Sequence, residues 1–581
     1  MRYPTLTELN TSRELVDVFK GYNHNLRIGD GEFYDMKNLT SSEYPVLSTR
    51  RKRGVYASPK TPQGLIAKDA LCYVDGADFV INEYHVDMGL SIDSKPKSLV
   101  SMGAYVIIMP DKKYINTADL TDNGPIEASV TTSSTVTFEL CKLDGTGYDN
   151  VFKGDTAPTE PENMDLWLDT SSKPNVLKMY SSTSKQWVSV ATTYIKITSK
   201  GSNFGKHFSE YDGVKISGVV DESLQDLNNT VVVWDKGDDY IIVTGIISNV
   251  ITQEEPITVA RQMPNMDFII ESGNRLWGCR YGTAINGEVV NEIYASELGD
   301  FRNWNSFAGV STDSYVASVG TDGQFTGAIT HLGYPLFFKE NCIHKVYGNY
   351  PANYQIQTTT CRGVQKGCEN SLAIVNETLF YKSRSSVCAY DGSLPTEMSS
   401  AFGEENYYNA VAGTLGNKYY ISMSDSNEEW HLFVYDTMKG MWHREDDTQA
   451  THFCTCRGDL YYIDYADKQI KSVKGTGVLD TAPVKWEAVT GIIGTSYPDK
   501  KYISRIDVRL SLEIDARVYF FVQYDSSGEW EHLFSMTGTT LRSFAIPIRP
   551  RRCDHMRLRI VGEGDAKIYS ICKTIEQGSD V

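Results

Sequence analysis

The segments Leu415-Gly-Asn-Lys-Tyr-Tyr-Ile-Ser422 and Arg457-Gly-Asp-Leu-Tyr-Tyr-Ile-Asp464 follow one pattern, a polar turn with glycine and then an aromatic strand. Two other segments share this pattern, Ser272-Gly-Asn-Arg-Leu-Trp-Gly-Cys279 and, without the glycine, Asn376-Glu-Thr-Leu-Phe-Tyr-Lys-Ser383. The later segments are about 40 residues apart, and the first gap is about 100 residues. Four-stranded sheets repeated around an axis produce such a pattern, so we predict the blades of a β-propeller. An assortment of hairpins in a β-sandwich is the alternative.

The rest of the chain also favours strands. Short apolar or alternating runs end at turn signals such as Asp30-Gly31, Asp212-Gly213 and Asp391-Gly392. Aromatic residues form 11% of the chain and 46 glycines accompany them, which is typical of short strands joined by tight turns. The best helical candidate is Leu9 to Lys20, where apolar residues recur among polar ones. The predicted fold class is therefore all-β.

The length of 581 residues is too great for one compact core, so we expect several domains. Residues 1–116 are predicted to begin the propeller and residues 194–481 to supply its blades. Between them, residues 117–193 contain a proline-rich acidic stretch and a hairpin closed by tryptophan, which predicts a small inserted β domain. Residues 482–581 contain strictly alternating strands with one apolar face, which predicts a C-terminal β-sandwich.

The net charge of −18 argues against tight binding of nucleic acid, because such binding requires cations that neutralise phosphates. A negative surface does suit a wall past which DNA slides, since like charges repel over a Debye length of about 8 to 10 Å. The alternative is that the charge only keeps a large protein soluble.

The composition also bears on the cell compartment and on metal binding. Eleven cysteines lack the spacing of a disulfide framework, which indicates free thiols made in a reducing cytoplasm. Cys454 and Cys456, beside His452, do not have zinc-knuckle spacing, and we predict neither metal nor cofactor. The chain lacks a basic and apolar leader and any run of 18 apolar residues, so we expect neither a signal peptide nor a membrane span.

Catalytic motifs are not recognisable. Neighbouring carboxylates such as Asp238/Asp239 and Glu404/Glu405 point to opposite faces of a strand, whereas a glycosidase needs two carboxylates about 5 to 10 Å apart across a cleft. The sequence has neither a phosphate-binding glycine loop nor a Gly-x-Ser-x-Gly elbow. We therefore predict that the protein is not an enzyme.

Four stretches resemble the tail nozzle family of short-tailed phages, whose members are called tail tubular protein B or packaged-DNA stabilization protein. The most specific stretch is Asn291-Glu-Ile-Tyr-Ala-Ser-Glu-Leu-Gly-Asp-Phe-Arg-Asn-Trp304, preceded by Gly273-Asn-Arg-Leu-Trp-Gly278. The others lie within residues 35–53, 336–395 and 432–442. Together they cover about residues 30 to 470.

This resemblance implies a β-propeller subunit of a virion, assembled with copies of itself in a ring that is expected to be a hexamer. The ring would sit beneath the portal and tail adaptor proteins, with tail fibres or spikes as further partners, and double-stranded DNA would pass through it. The residues matched to the family motif imply structural roles: Asn274, Arg275, Leu276, Trp277, Tyr294, Ser296, Asp300 and Trp304. The inserted hairpin Asp165-Leu-Trp-Leu-Asp-Thr170 resembles a small module found in many phage structural proteins. The domain from Ala482 has no counterpart in the best-known members, which leaves its partner open.

Two basic clusters interrupt the acidic background, Arg50-Arg51-Lys52-Arg53 and Arg549-Pro550-Arg551-Arg552. We predict Arg50, Arg51, Lys52, Arg53, Arg551 and Arg552 as contacts to a neighbouring subunit or to DNA, with solvated loops as the alternative. Two functions remain: a nozzle ring that retains packaged DNA and conducts it during ejection, or a receptor- or glycan-binding tail protein. The nozzle requires a wide channel between subunits, whereas the receptor requires aromatic residues around a pocket at the top of the blades.

Overall fold

The computed structural model describes residues 11–93, 96–284, 287–307, 309–495, 500–549 and 551–577. Strands make up 53% of the chain and helices 3%, so the all-β prediction is confirmed. The chain forms a β-propeller with an inserted β domain and a C-terminal β-sandwich. Among the described residues, no helix has the length and apolar character needed to cross a lipid bilayer.

The N-terminal strands contribute mainly to the C-terminal sandwich. The first of them lies antiparallel to the last strand of the chain, with Thr11 opposite Glu576 and Val16 opposite Ile571. The prediction that residues 1–116 begin the propeller is thus wrong for the first strands, because these pair over a long sequence separation that local patterns do not reveal. The strands are β1 (Thr11–Val16), β2 (Gly21–Tyr22), β3 (Glu32–Lys37), β4 (Leu39–Thr40), β5 (Leu47–Thr49) and β6 (Gly54–Ala57).

The helical candidate Leu9 to Lys20 is also a wrong prediction. Residues 9 and 10 lie outside the described part of the chain, and β1 covers the middle of the segment. Its exposure alternates residue by residue, which is the period of a strand. Pairing with the C-terminal strand therefore outweighs the local propensity.

Two four-stranded antiparallel sheets follow and form the first two blades. Each is a meander whose consecutive strands are hydrogen-bonded neighbours. The first blade comprises β7 (Pro62–Lys68), β8 (Ala70–Asp75), β9 (Asp78–Ile81) and β10 (Tyr84–Asp87). The second comprises β11 (Ser98–Met102), β12 (Tyr105–Met109), β13 (Lys113–Asn116) and β14 (Asn123–Pro125).

The insertion occupies residues 128–261, which differs from the predicted 117–193. Its start is later because β14 completes the second blade, and its end is later because Ala128 lies opposite Arg261 in the closing strand pair. An eight-stranded sheet forms its body, and a separate four-stranded sheet, residues 151–189, carries the tryptophan hairpin. The strands are β15 (Ala128–Thr131), β16 (Val136–Cys141), β17 (Val151–Gly154), β18 (Leu166–Asp169), β19 (Val176–Ser181), β20 (Gln186–Ser189), β21 (Tyr194–Ser199), β22 (Gly213–Ser217), β23 (Thr230–Gly237), β24 (Tyr240–Thr244), β25 (Ile251–Gln253) and β26 (Thr258–Arg261). Helix α1 (Phe204–His207) and a 3₁₀ helix (Glu222–Leu227) lie between them.

Five more blades complete the propeller. The third blade contains β27 (Phe268–Ser272), β28 (Arg275–Thr283), β29 (Val289–Ala295) and β30 (Tyr315–Ser318), and the fourth contains β31 (Gly327–His331), β32 (Tyr334–Lys339), β33 (Cys342–Tyr347) and β34 (Gln355–Thr360). The fifth contains β35 (Ala373–Val375), β36 (Thr378–Lys382), β37 (Val387–Tyr390) and β38 (Thr396–Glu397), and the sixth contains β39 (Tyr408–Leu415), β40 (Lys418–Ser424), β41 (Trp430–Asp436) and β42 (Met441–Arg444). The seventh contains β43 (Ala450–Cys456), β44 (Asp459–Asp464), β45 (Ile470–Ser472) and β46 (Val478–Leu479). Short 3₁₀ helices cover Pro351–Asn353, Glu369–Ser371 and Ser400–Phe402.

The blades close into a seven-bladed ring. The first strands of successive blades contact one another from β7 through β11 and β27 to β31, then through the helix Glu369–Ser371 to β39, and through β43 back to β7. The N-terminal strand β6 lies between β45 and β46 as the fourth of five strands in the last blade, with Gly54 opposite Ser472. One blade thus contains both ends of the propeller sequence, so the ring cannot open without breaking that sheet.

The C-terminal strands are β47 (Lys485–Thr490), β48 (Lys501–Tyr524), β49 (Glu531–Ile546), β50 (Arg552–Cys553), β51 (Met556–Glu563) and β52 (Ala566–Gln577). The long strand β48 pairs with β52 through its first half and with β51 through its second half, so it belongs to both layers of the sandwich. Buried residues alternate along it, as the predicted apolar face requires. The sandwich is not separate, since its core is continuous with the core of the fourth to sixth blades.

Candidate functional site

The family-motif residues form a hairpin of the third blade. Asn274 has a positive φ of 59° in the turn between β27 and β28, and Leu276 and Trp277 are buried. The Trp277 indole nitrogen donates to the Ser272 carbonyl oxygen at 3.1 Å. These residues shape the blade.

Arg275 is the buried centre of this region. Its guanidinium donates to the carbonyl oxygens of Ser296 at 2.7 Å, Ser311 at 2.8 Å and Asp313. Burial lowers the pKa of Arg275. The side chain therefore fixes the long loop between β29 and β30 by satisfying carbonyl oxygens that strand pairing leaves free.

The same loop holds the inserted domain. The amide of Asn303, which is fully buried, donates to the Tyr211 carbonyl oxygen at 2.6 Å and accepts from the Gly213 nitrogen at 3.0 Å. Trp304 lies in an apolar cluster that joins the second and third blades, and its indole nitrogen donates to the Phe301 carbonyl oxygen at 2.8 Å. The motif segment Asn291 to Trp304 thus joins the blades to the insertion.

The other motif residues support this loop. Ser296 accepts from the Leu276 nitrogen at 3.0 Å, Tyr294 donates to Glu292, and Asp300 lies near the Arg302 guanidinium at 3.4 Å. Sequence reasoning missed Asn303 and Glu297, although both stand inside the quoted motif. Burial and the neighbouring Asp300 raise the pKa of Glu297 to about 7.

The propeller axis ends in a small cavity of about 410 Å³. Apolar side chains from every blade line it, including Leu65, Leu99, Ile269, Ile329, Leu372, Val411 and Phe453. A sphere of this volume is only about 9 Å across, whereas the major groove of duplex DNA alone is about 12 Å wide. A double helix therefore cannot pass along the axis of a single chain.

The basic cluster at residues 50–53 is divided between the interior and the surface. Arg53 is buried and pairs with Glu445 at 2.7 Å and with Asp446 at 3.2 Å. Arg50 pairs with the same Asp446 at 3.1 Å and donates to the side chain of Asn38. Both charges are neutralised within the chain, so neither guanidinium remains free for a subunit or DNA contact.

The remaining members of the two clusters lie nearer to solvent. Arg51 is exposed, and the Lys52 ammonium donates to the Thr481 carbonyl oxygen at 3.3 Å. Arg551 pairs with Glu531 at 3.0 Å, with both side chains more than half exposed. Arg552 is exposed in β50, beside β48. A contact to another macromolecule stays a prediction for these four residues.

A large groove lies between the propeller and the sandwich, with a volume of about 1200 Å³. The sixth and seventh blades form one wall, and residues 40–51 lie between the walls. The other wall consists of residues 511–514 of β48, 538–540 of β49 and 565–567 around the start of β52. Lys418 donates to Thr40 at 3.0 Å and to Ser42 at 3.2 Å, and burial lowers the pKa of this lysine. The sequence singled out Arg51 but could not predict the groove, because residues 40–51 lie about 400 residues before the blade segments that they meet there.

One group among the described residues could hold a metal ion. Asp425, Glu429 and His431 offer ligand atoms within 4.8 Å of one another in the turn between β40 and β41. The Asp425 carboxylate already accepts two backbone N–H groups of its own turn and lies 3.3 Å from the His431 ring. These hydrogen bonds account for the close approach of the three side chains as part of a hydrogen-bonded turn.

No family model and no curated protein matches this chain. Among solved structures, it is similar to the exo-β-1,3-galactanase of Phanerochaete chrysosporium at 9% identity and a TM-score of 0.22, over 52% of this chain and 94% of that chain. It is similar to the Trypanosoma rangeli sialidase at 8% identity and a TM-score of 0.22, over 97% of this chain and 95% of that chain. Similarity this low supports no functional inference, and the propeller assignment rests on the strand pairing described above.

Proposed function

We propose that this protein is a structural subunit of a bacteriophage tail nozzle, and that several copies close into a ring that retains packaged DNA and conducts it during ejection. The supporting observation is the segment Asn291 to Trp304. Asn303 within this segment joins the blades to the insertion. A motif whose residues hold domains together, and do not form a reactive site, is consistent with a structural protein.

The closed axis bears on the position of the channel. Because the cavity of about 410 Å³ is too small for a duplex, a DNA path must run between copies of the chain. A head-to-tail interface generates such a ring when its rotation closes. The net charge of −18 would keep DNA from adhering to the wall. The location of such a subunit would be the virion, next to the portal and tail adaptor proteins.

The first test is the mass and symmetry of the purified chain, measured by light scattering and negative-stain imaging, alone and mixed with tail adaptor proteins. A closed ring, or a monomer that joins a ring on the adaptor, supports the nozzle. A chain that ignores the adaptor and binds host surface glycans would overturn it in favour of a receptor-binding tail protein.

A further inference from the structure

The groove between the propeller and the sandwich has the size of a polypeptide site. Its volume of about 1200 Å³ exceeds the range of about 300 to 1,000 Å³ typical of small-molecule pockets. Hydroxyl groups are frequent on its floor, among them Thr40, Ser41, Ser42 and Ser48. Such a surface accommodates an extended chain with polar main-chain groups.

The propeller wall of the groove is basic. Lys439 and Lys474 line it, Arg51 lies beside it, and none of the three has an ion pair among the described residues. Arg51 and Lys474 belong to adjoining segments, since a Cβ added at Gly475 would lie 3.1 Å from the Lys52 carbonyl oxygen. The acidic side chains of this wall already have partners within the chain. Glu445 pairs with Arg53, and Asp436 accepts from two backbone N–H groups of its own turn.

The opposite wall carries charge of the other sign and an apolar end. Glu513 and Asp565 line it, and Lys567 beside them pairs with Glu43 at 3.0 Å. Ile514 is 88% exposed on this wall, and Met438 is 67% exposed on the propeller wall. An occupant of this groove thus needs carboxylates toward the blades and apolar side chains at the rim.

The insertion contains a segment with these properties. Residues 155–165 read Asp-Thr-Ala-Pro-Thr-Glu-Pro-Glu-Asn-Met-Asp, with four carboxylates, two prolines and no lysine or arginine. The segment belongs to no strand, its carboxylate residues are exposed, and Met164 is 66% exposed. Prolines reduce the entropy that an extended segment loses on binding.

We propose that residues 155–165 of one copy dock in this groove of the next copy, and that this contact closes the ring. The inference rests on the proposed ring and names the surfaces that form it. Glu160 and Glu162 face Arg51 and Lys474 across the contact. The two surfaces are different patches of one chain, so the interface is head-to-tail, as a ring requires.

The test is a charge exchange across the contact in the full chain, with assembly followed by sedimentation velocity and mass photometry. The variant Arg51→Glu/Lys474→Glu and the variant Glu160→Lys/Glu162→Lys should each weaken assembly by roughly tenfold or more, because like charges then meet. Combining all four changes should restore the ring. Wild-type assembly should also weaken between about 0.05 and 0.5 M salt, as screening predicts.

Matched controls separate this contact from a general effect of charge. Glu254→Lys/Glu255→Lys reverses two exposed carboxylates elsewhere in the insertion, and Lys60→Glu/Lys366→Glu reverses two exposed lysines of the propeller. Both should assemble as the wild type does. If the wild type forms a ring and both charge-reversal variants assemble equally well, this inference is overturned and the nozzle proposal still stands. The same holds if the variant that combines all four changes does not recover assembly. A wild-type chain that forms no ring, alone or on the adaptor, would overturn both.

Discussion

Replacing Arg53 should destabilise the propeller at its closure. Arg53 directly precedes β6, the strand that completes the last blade, and its guanidinium pairs with Glu445 and Asp446 and lies 5.2 Å from the ring centre of Tyr462. In Arg53→Met, Glu445 loses its ion-pair partner among the described residues while its side chain stays only 4% exposed. Asp446 keeps Arg50.

The magnitude follows from this burial. Removing one partner of a buried ion pair costs about 3 to 5 kcal/mol, because the remaining charge stays desolvated. A unit of 150 to 250 residues loses roughly 2 to 4 °C in Tm per kcal/mol, so the propeller transition should fall by roughly 6 to 20 °C. Replacing both partners, as in Arg53→Met/Glu445→Gln, should recover at least half of this loss.

Scanning calorimetry at pH 7 measures the effect. Burial alone would raise the pKa of Asp446, but Arg53 and Arg50 outweigh it and hold this pKa below its ordinary value of 3.8. The stabilisation from Asp446 is thus complete above about pH 4 and is lost as the pH falls through the lowered pKa. Arg51→Met, at the exposed neighbour, should change Tm by less than 2 °C. A loss in Arg53→Met no larger than in Arg51→Met would refute the reasoning.

Three other outcomes are expected. Gly562→Ala should destabilise the sandwich by about 1 to 3 kcal/mol, because the added Cβ would lie 2.3 Å from the Trp486 ring. Gly282→Ala should be nearly neutral, because a Cβ at Gly282 would meet open space. Equal urea midpoints for the two variants would contradict this expectation. Arg275→Met should free three carbonyl oxygens and speed limited proteolysis in the loop between β29 and β30, and an unchanged cleavage rate would argue against its role. The fold raises the pKa of Glu297 from 4.5 to about 7, so its ionisation disfavours folding progressively as the pH rises between these values. The stability of Glu297→Gln relative to the wild type should therefore increase from pH 4.5 to 7. A stability difference that does not change with pH would refute the raised pKa.

The fold class could be predicted because its signals are local. A turn followed by an aromatic strand identifies blades such as β39–β40 and β43–β44, since each hairpin is contained in about 20 residues. The alternation along β48 likewise predicts a strand with one buried face. These patterns depend only on neighbouring residues, so one sequence suffices to read them.

The domain boundaries could not be predicted in this way. Thr11 pairs with Glu576, Gly54 with Ser472 and Ala128 with Arg261, and nothing in either partner's sequence specifies the other. The ion pairs of the basic cluster could not be predicted for a related reason. Arg50 to Arg53 form an uninterrupted charge run, but the fold brings Glu445 and Asp446 beside two of its members. Burial and exposure within such a run depend on residues almost 400 positions away.

The closed axis changes what the negative charge can do. A wall that repels DNA acts only within about one Debye length, so the relevant carboxylates must lie on an outer surface of the chain and not on its axis. Burial raises the pKa of Asp267 at the edge of the axial cavity, which reduces ionisation there. If the acidic segment 155–165 is covered by the neighbouring copy, the repulsive wall must come from other carboxylates. The same net charge would then serve two separate purposes, attraction to the basic groove between copies and repulsion of DNA in the channel that those copies enclose.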